Sequence, residues 1–388
     1  MTPPIRIGIV AGEASGDLLG ARLVQALRKL HPDLEFEGIA GPQMLDKGVV
    51  AKFPMEKLAV RGYVEVLRHF REILDIRKNL KEYWLARPPH LFIGIDAPDF
   101  NLGLEESLKQ AGVPTVHFVS PSIWAWRGRR IKQIARAVTH MLLVFPFEKS
   151  LYQHAQIPAT YVGHPLADSI PLLPDQAGAR AELNLGTANP VFAFLPGSRQ
   201  SEIKLHARLF LETMALLEER HADGIFLMPL VSEETVALMH AEISRFNSTS
   251  HRLTLLQGKA QQAMTAADVV LVASGTATLE AALLKRPMVI TYKVPMLTAM
   301  LMWPRRLLPY IGLPNILAGE MLVPEILQRY ATPQRLAAAL NAQLEDKAAR
   351  KKLMEKFTQM HIELRQNSAQ QAAQTIMKLL PDHNPPRS

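Results

Sequence analysis

The sequence of 388 residues contains no cysteine. That absence excludes a disulfide framework, an iron–sulfur cluster, a zinc site built from thiolates and a cysteine nucleophile. Long apolar runs are also missing, because the longest uncharged one, Val294–Pro304, is too short to span a bilayer. The first residues, Met1–Arg6, show no secretory pattern. We therefore expect a cytoplasmic protein that is soluble or attached to a membrane surface.

Positive charge is in excess. The sequence has 44 Lys and Arg residues against 36 Asp and Glu residues, a formal net charge of +8. Such a balance favours an anionic partner, but its sign alone does not choose among nucleic acid, phosphorylated substrate and membrane surface. Nucleic acid is not expected, because the charge is dispersed and no recognition motif occurs.

Short apolar runs alternate with longer helical patterns along the chain, which predicts an α/β fold with parallel sheets. The predicted strands are Ile5–Val10, Leu91–Ile95, Thr115–Val119, Met141–Phe145, Tyr161–Gly163, Val191–Leu195, Ile225–Leu230, Leu253–Leu256, Val269–Val272 and Met288–Tyr292. The series is interrupted at Pro171–Gly178, where turn-forming residues cluster. We interpret this segment as a linker between two doubly wound, Rossmann-like domains that face a cleft.

The loop after the first predicted strand is Gly12–Asp17. Its glycines permit close backbone approach at a helix N-terminus. The carboxylates of Glu13 and Asp17 would repel a diphosphate but would suit sugar hydroxyls. The alternative is a glycine turn in which Asp17 stabilises the helix start.

Asp96 follows a strand directly, where a general base could reach a substrate hydroxyl. Asp99, close behind it, fits the N-cap of a helix equally well. The next strand leads into Trp124–Lys132, whose cations could hold a phosphate and whose tryptophans could flank a sugar or an acyl chain. Buried indoles beside a solvated basic face would give the same pattern.

Two loops of the second half indicate a nucleotide site. Gly197, Ser198 and Arg199 precede a helix and could bind a diphosphate. Gly275 and Thr276 begin another helix, and Glu280, one turn further, could accept hydrogen bonds from a ribose. Neither an Asp-x-Asp motif nor a histidine pair at metal-ligand spacing occurs, so we predict no metal and no cofactor.

Taken together, six motifs resemble those of the lipid-A-disaccharide synthase family. They are Gly12–Asp17, Gly94–Phe100, Ser120–Arg127, Leu195–Arg199, Ala273–Ala277 and Leu313–Asn315. The resemblance implies an inverting GT-B glycosyltransferase that joins UDP-2,3-diacylglucosamine to 2,3-diacylglucosamine 1-phosphate (lipid X), forms a β-1,6 linkage and releases UDP. It implies an acceptor domain over residues 1–170, a UDP-sugar domain over 178–350, and a C-terminal helix over 351–388 that returns to an N-terminal domain.

By the same resemblance, Asp96 matches the presumed general base, and Glu13 and Asp17 complete the catalytic group. The residues that we assign to the acceptor or its phosphate are Gly12, Ser15, Gly16, Trp126 and Arg127. The residues that we assign to the UDP site are Gly197, Ser198, Arg199, Gly275, Thr276, Glu280 and Asn315, of which Arg199, Thr276, Glu280 and Asn315 match the family's positions around UDP.

Diacylated substrates imply contact with the inner membrane. The segment 63–80 combines an apolar helical face with flanking cations, a pattern typical of an interfacial helix. The apolar residues that we assign to the membrane are Val66, Leu67, Phe70, Ile73 and Leu74. Packing on the protein core would explain the same face. A homodimer is compatible with the sequence, as is exchange of the C-terminal helix.

Two other functions fit the predicted architecture. A UDP-sugar 2-epimerase would share both domains and the UDP site but would need no lipid acceptor. A nonenzymatic sugar-binding protein would share the two domains, although the loops of UDP type disfavour it.

Overall fold

The computed structural model describes residues 4–58, 63–125, 128–246, 252–295, 298 and 307–380, with only the backbone described for 63–70. Within this description the chain forms two compact units. The first runs to Asp168 and resumes at Leu364, and the second is the continuous segment Ser169–Glu363. The return to the first unit thus starts thirteen residues later than the predicted residue 351.

Thirteen strands and sixteen α-helices are described in these ranges. The strands are β1 (Arg6–Ala11), β2 (Glu35–Ala40), β3 (Val50–Pro54), β4 (Leu91–Ile95), β5 (Thr115–Phe118), β6 (His140–Leu143), β7 (Ala159–Tyr161), β8 (Val191–Leu195), β9 (Ile225–Leu230), β10 (Leu253–Gln257), β11 (Val269–Ala273), β12 (Met288–Tyr292) and β13 (Glu325–Leu327). The helices are α1 (Ala14–Leu30), α2 (Pro42–Asp46), α3 (Tyr63–Ala86), α4 (Pro98–Gln110), α5 (Ile131–Ala137), α6 (Glu148–His154), α7 (Pro165–Ser169), α8 (Gln176–Glu182), α9 (Gln200–Arg220), α10 (Glu233–Arg245), α11 (Ala260–Ala266), α12 (Thr276–Leu283), α13 (Leu313–Ala318), α14 (Pro333–Glu345), α15 (Lys347–Leu364) and α16 (Ser368–Met377).

The first unit contains a seven-stranded sheet in the order β3-β2-β1-β4-β5-β6-β7. All of its pairs are parallel. Because the chain leaves β1 towards β2 and later returns to the other side of β1 with β4, the winding direction reverses between β1 and β4. Such a reversal leaves a crevice at the carboxyl ends of the two strands, where ligands of open α/β sheets bind.

The second unit contains a six-stranded parallel sheet in the order β10-β9-β8-β11-β12-β13. Here the reversal lies between β8 and β11. Every residue of β8 is buried, and β11 is buried over its whole length as well. Full burial on both faces explains why these strands are continuous apolar runs in the sequence.

The doubly wound α/β fold was predicted correctly, but three strands were missed. They are β2, β3 and β13, of which β3 and β13 lie at the edges of their sheets. The segment β3 is mostly exposed and contains Lys52, and β2 contains Glu35 and Glu37. Edge strands tolerate charged residues on their open side, so they lack the apolar run that identifies a central strand.

The C-terminal part of α3 packs on the core of the first unit. Ile76, Leu80 and Trp84 are buried at helical spacing, and the Trp84 ring meets Phe92 of β4 edge-on with 5.2 Å between centroids. The indole N–H donates to Glu37 of β2. None of the described helices is both long enough and apolar enough to cross a bilayer.

Candidate active site

Two of the predicted site loops lie side by side at the reversal point of the first sheet. Ala11 and Ile95, the last residues of β1 and β4, are paired in register. Beyond them the loops approach so closely that a Cβ on Gly12 would lie 2.8 Å from the Cβ of Ala97. Glycine is therefore required at position 12, because a side chain would separate the loop of Glu13 from that of Asp96.

Asp96 sits in a strained turn at the end of β4. Its φ of 47° and the φ of 43° at Ala97 fall in the left-handed region, which non-glycine residues rarely adopt. The turn is fixed by the backbone N–H of Asp96, which donates to Phe118 of β5 at 2.9 Å, and by Asn101 Nδ2, which donates to the Asp96 carbonyl at 2.8 Å. Strain of this kind persists only where the surroundings impose it, and it clusters at active sites.

The electrostatic environment of Asp96 suits a base. Burial raises the pKa of this half-buried carboxyl, the charge of Glu13 raises it further, and the charge of His117 on β5 lowers it. The net pKa lies above the ordinary value for an aspartate. A carboxylate with a raised pKa accepts a proton more readily, which is the property that a general base needs.

Glu13 is the N-cap residue of α1, and its carboxylate accepts a hydrogen bond of 2.6 Å from Ser15 Oγ. It is half-buried, whereas Ser15 is exposed. Gly16 is buried, and a Cβ there would be 3.5 Å from the Cβ of Ala11. The structure thus brings Glu13, Ser15 and Gly12 to the same edge as Asp96.

Asp17 has a different environment. Its carboxylate is 2% exposed and accepts hydrogen bonds from the backbone N–H groups of Gly41, Gln43 and Met44 at 2.9–3.0 Å. These are the first amides of α2, which would otherwise lack acceptors. We therefore replace the expected place of Asp17 in the catalytic group by a structural role, in which its carboxylate connects α1 to the start of α2.

Trp126 and Arg127 lie outside the described residues. Beside them, Trp124 is half-buried and its indole N–H donates to Glu148 at 3.0 Å. Asp99 does not cap α4, because the N-cap is Ala97, and its exposed carboxylate accepts from Arg130 at 2.5 Å. The basic run after β5 thus has one of its cations paired within the protein.

In the second unit, the loop after β8 also lies at the reversal point. Gly197 has a φ of 125°, which only glycine adopts without strain. The N–H groups of Ser198 and Arg199 donate to Glu202 Oε2 at 3.0 and 3.2 Å, and the Tyr292 hydroxyl donates to Glu202 Oε1. The amides expected to bind a diphosphate are therefore occupied by Glu202, while the Arg199 side chain is 71% exposed.

The loop after β11 is more open. Gly275, with a φ of 143°, is the N-cap of α12, no side chain caps this helix, and Gly275 and Thr276 are exposed. A Cβ at Gly275 would meet no described atom within 4 Å. Glu280 is half-buried, and burial raises its pKa. The N-terminus of α12 thus presents amides and a partial positive charge, an arrangement that binds phosphate.

Asn315 of α13 is fully buried and fully hydrogen-bonded within the protein. Its Nδ2 donates to the Val323 carbonyl and to Glu325, both at 2.9 Å, and its Oδ1 accepts from the N–H groups of Leu322 and Val323. These bonds use both N–H groups and both lone pairs of the amide. We therefore replace the expected contact of Asn315 with UDP by a structural role in the loop before β13.

Of the residues assigned to the membrane, the side chains of Val66, Leu67 and Phe70 lie outside the description. Ile73 and Leu74 are half-buried. The packing alternative applies to the C-terminal part of α3, which is anchored by Ile76, Leu80 and Trp84.

Four polar residues near the two reversal points were missed in the sequence: Asn101, Glu105, His117 and Glu202. Asn101 and Glu105 are buried one turn apart on α4, and His117 is buried within β5. Three of these residues carry a signal in the sequence. His117 stands inside an apolar strand, and Asn101 and Glu105 lie on the apolar face of a helix, where polar residues are unusual.

Comparison with known proteins gives a family and a fold. A family model described as lipid-A-disaccharide synthetase matches residues 7–376. The chain is 56% identical over 380 residues to a lipid-A-disaccharide synthase of Paraburkholderia phymatum, covering 98% of this chain and 97% of the relative. It is 54% identical over 383 residues to the enzyme of the same name from Burkholderia pseudomallei, covering 98% of both chains.

Solved structures with much lower identity share the fold. A UDP-GlcNAc 2-epimerase from Neisseria meningitidis is similar with a TM-score of 0.66 and 13% identity, covering 96% of this chain and all of the other. MurG from Acinetobacter baumannii is similar with a TM-score of 0.58 and 15% identity, covering 97% of this chain and all of the other. These similarities support the two-sheet GT-B architecture.

Proposed function

This chain belongs to the lipid-A-disaccharide synthase family, and from that premise we propose how its two sites carry out the reaction. The family match over residues 7–376 is the observation that carries the assignment. The protein is a glycosyltransferase of lipid A biosynthesis that acts on lipid A precursors. We assign the donor UDP-2,3-diacylglucosamine and the acceptor lipid X as its substrates, and a β-1,6-linked disaccharide 1-phosphate and UDP as its products.

Asp96 is the general base of this proposal. Inversion at the anomeric carbon requires one direct displacement, in which the acceptor 6-hydroxyl attacks as it loses its proton. The raised pKa of Asp96 and its place at the reversal point between β1 and β4 support this role. Glu13 lies near Asp96, and the hydrogen bond from Ser15 to its Oε1 holds the carboxylate in place. In the proposal, this carboxylate orients an acceptor hydroxyl.

The donor site of the proposal lies at the corresponding point of the second unit. The exposed Arg199 side chain and the open N-terminus of α12 at Thr276 supply positive charge for the departing diphosphate. Glu280, one turn into α12, accepts hydrogen bonds from the ribose hydroxyls. Glu202 stabilises the loop that presents Arg199.

The test is incubation of the purified protein with UDP-2,3-diacylglucosamine and lipid X, followed by mass analysis. We expect equimolar UDP and a tetraacyl disaccharide 1-phosphate. Release of UDP without the disaccharide, or conversion of UDP-GlcNAc to its 2-epimer, would refute the proposal. The epimerase alternative is supported by fold similarity at 13% identity, whereas relatives at 54–56% identity are synthases.

We also propose that the protein attaches to the inner membrane through the first turns of α3. The helix is fixed to the core by its C-terminal part, where Ile76, Leu80 and Trp84 are buried. In the sequence, Val66, Leu67 and Phe70 precede Ile73 and Leu74 at helical spacing. In liposome flotation, the double variant Leu67→Glu/Phe70→Ser should lose binding. Leu85→Glu, at an exposed position of the same helix, is the control and should float normally.

The cytoplasmic location and a homodimer remain part of the proposal. Sedimentation of the purified protein measures its oligomeric state, and fractionation of cells tests whether it is recovered with the inner membrane.

A further inference from the structure

Helix α4 carries a buried acid that the proposed mechanism does not use. Glu105 is fully buried, and its Oε1 lies 2.7 Å from Nδ1 of His117, which is also fully buried. An acid and an imidazole inside an apolar sheet are costly unless they pair, because both lose their hydration. The distance indicates a charge-assisted hydrogen bond in which Nδ1–H donates to the carboxylate.

The neighbouring strand makes room for this pair. Gly94 of β4 lies opposite His117 in the register of the sheet. A Cβ on Gly94 would be 2.1 Å from Glu105 Oε1, so any other residue would displace the carboxylate. Glycine in the middle of a strand weakens the strand, so its presence at position 94 indicates that the space is needed for the carboxylate of Glu105.

The pair retains unused hydrogen-bonding capacity. Within the described residues, Glu105 Oε2 and His117 Nε2 have no hydrogen-bond partner, although both atoms are buried. A buried polar atom without a partner is costly, because it has lost its hydration without gaining a hydrogen bond. Replacing a buried ion pair by apolar residues of similar volume is often neutral or stabilising, so stability alone does not account for this pair.

The pair is connected to Asp96 through two elements. Asn101, one turn before Glu105, donates to the carbonyls of Ile95 and Asp96. On β5, the residue after His117 accepts the N–H of Asp96. The charge of His117 also lowers the pKa of Asp96 and so opposes the effects of burial and of Glu13.

We propose that Glu105 and His117 are positioning residues for Asp96: the buried pair fixes α4 and β5, the two elements that hold the backbone of the Asp96 turn, and it places the His117 ring where it acts on the Asp96 carboxyl. This inference rests on the proposed role of Asp96 as the base. The other charged groups around Asp96 are Glu13 at the start of α1, and Asp99 in the first turn of α4, which is paired with Arg130.

The pH dependence of turnover tests the inference. In His117→Gln, the charge that lowers the pKa of Asp96 is lost, so the acidic limb of the kcat profile should move to higher pH. Glu105→Gln, which weakens the hold on the ring, should move the limb in the same direction. His140→Gln, which changes a histidine one strand away on β6, is the control and should keep the wild-type midpoint. Lower turnover at every pH with an unchanged midpoint would overturn the inference, because a structural role would act in that way.

A second measurement leaves the buried pair intact. In Asp96→Asn, the NMR signals of the His117 ring should shift at a fixed pH, because the interaction between two groups is reciprocal. Unchanged ring signals would overturn the inference even if the variants of the pair fail to fold. If Asp96→Asn retains normal turnover, the proposed base is wrong. If that variant is inactive but the ring signals are unchanged, only the inference about the pair is wrong.

Discussion

The carboxylate of Glu105 occupies the space beside Gly94 that a side chain at position 94 would need. A Cβ at that position would lie 2.1 Å from Glu105 Oε1, far inside van der Waals contact. The absence of a side chain at Gly94 thus lets α4 pack on β4 with Glu105 close enough to pair with His117. The turn of Asp96 begins two residues after Gly94.

This relationship predicts the effect of Gly94→Ala. Displacing Glu105 should lower the free energy of unfolding by about 1–3 kcal/mol and should reduce turnover strongly, because overpacking shifts the surroundings of Asp96. Denaturant unfolding and product formation measure the two effects. Gly186→Ala is the control, because a Cβ there would meet no described atom within 4 Å. Unchanged stability and turnover in Gly94→Ala would contradict the packing described for this space.

Asp96→Asn should preserve the affinity for UDP and remove most of the turnover. The amide keeps the shape of the turn but cannot accept a proton, and a general base contributes about 10²–10⁴-fold. Calorimetric titration with UDP and mass analysis of products check the two halves of the prediction. Because the pKa of Asp96 is raised, wild-type turnover should fall on acidification before an ordinary aspartate would be protonated. Near-normal turnover of the variant would remove Asp96 from this role.

Asp17→Asn should act on stability. The carboxylate accepts three amide N–H groups at the start of α2, so its loss should cost about 1–3 kcal/mol. Thermal unfolding measures this effect, and the affinity for UDP should be unchanged. Asp46→Asn, on the exposed side of α2, is the control and should behave like the wild type. A stable Asp17→Asn protein without turnover would instead indicate contact between Asp17 and the acceptor.

Arg199→Ala should weaken the binding of UDP about 10- to 100-fold, because a charge-assisted hydrogen bond to the diphosphate is lost. The side chain is exposed, so little change in stability should accompany the loss. Arg208→Ala is the matched control, since Arg208 is an exposed arginine of α9, the helix that Arg199 precedes, and is paired with Glu212. Equal UDP affinities in all three proteins would place the diphosphate elsewhere.

Glu148 should make stability depend on pH. Burial raises the pKa of this carboxyl from 4.5 to about 7, so the folded protein keeps a proton that the unfolded chain releases. The resulting stabilisation is complete below pH 4.5 and is lost as the pH rises towards 7. The thermal midpoint of Glu148→Gln should therefore rise relative to the wild type between pH 5 and pH 8. Glu106→Gln, on the side of α4 that pairs with Arg136, should follow the wild type. A constant difference between Glu148→Gln and wild type would contradict the raised pKa.

The central strands could be predicted because their burial is visible in composition. The segment β11 reads as an apolar run because both of its faces are covered, and the loops at its end were identified for the same reason. The segment β13 is only three residues long and partly exposed, so its sequence carries no comparable pattern.

The roles of individual side chains were harder to predict, because their hydrogen-bond partners are distant in sequence. Asp17 contacts amides 24–27 residues away, and nothing in its own motif distinguishes that role from binding a sugar. Asn315 is similar, since its partners belong to the following loop. His117 stands out within an apolar strand, but its pairing with Glu105 depends on the phase of α4 and on the space left by Gly94.

The order in which the two units complete themselves follows from the path of the chain. Helix α16 packs on α1, with Ala372, Ala373 and Ile376 buried, and Asp168 accepts hydrogen bonds from the N–H groups of Asn367 and Ser368. During translation, the whole of the second unit is synthesised before this helix. The first unit therefore stays incomplete, with one face of α1 uncovered, until α16 has been made, whereas the second unit is one uninterrupted segment.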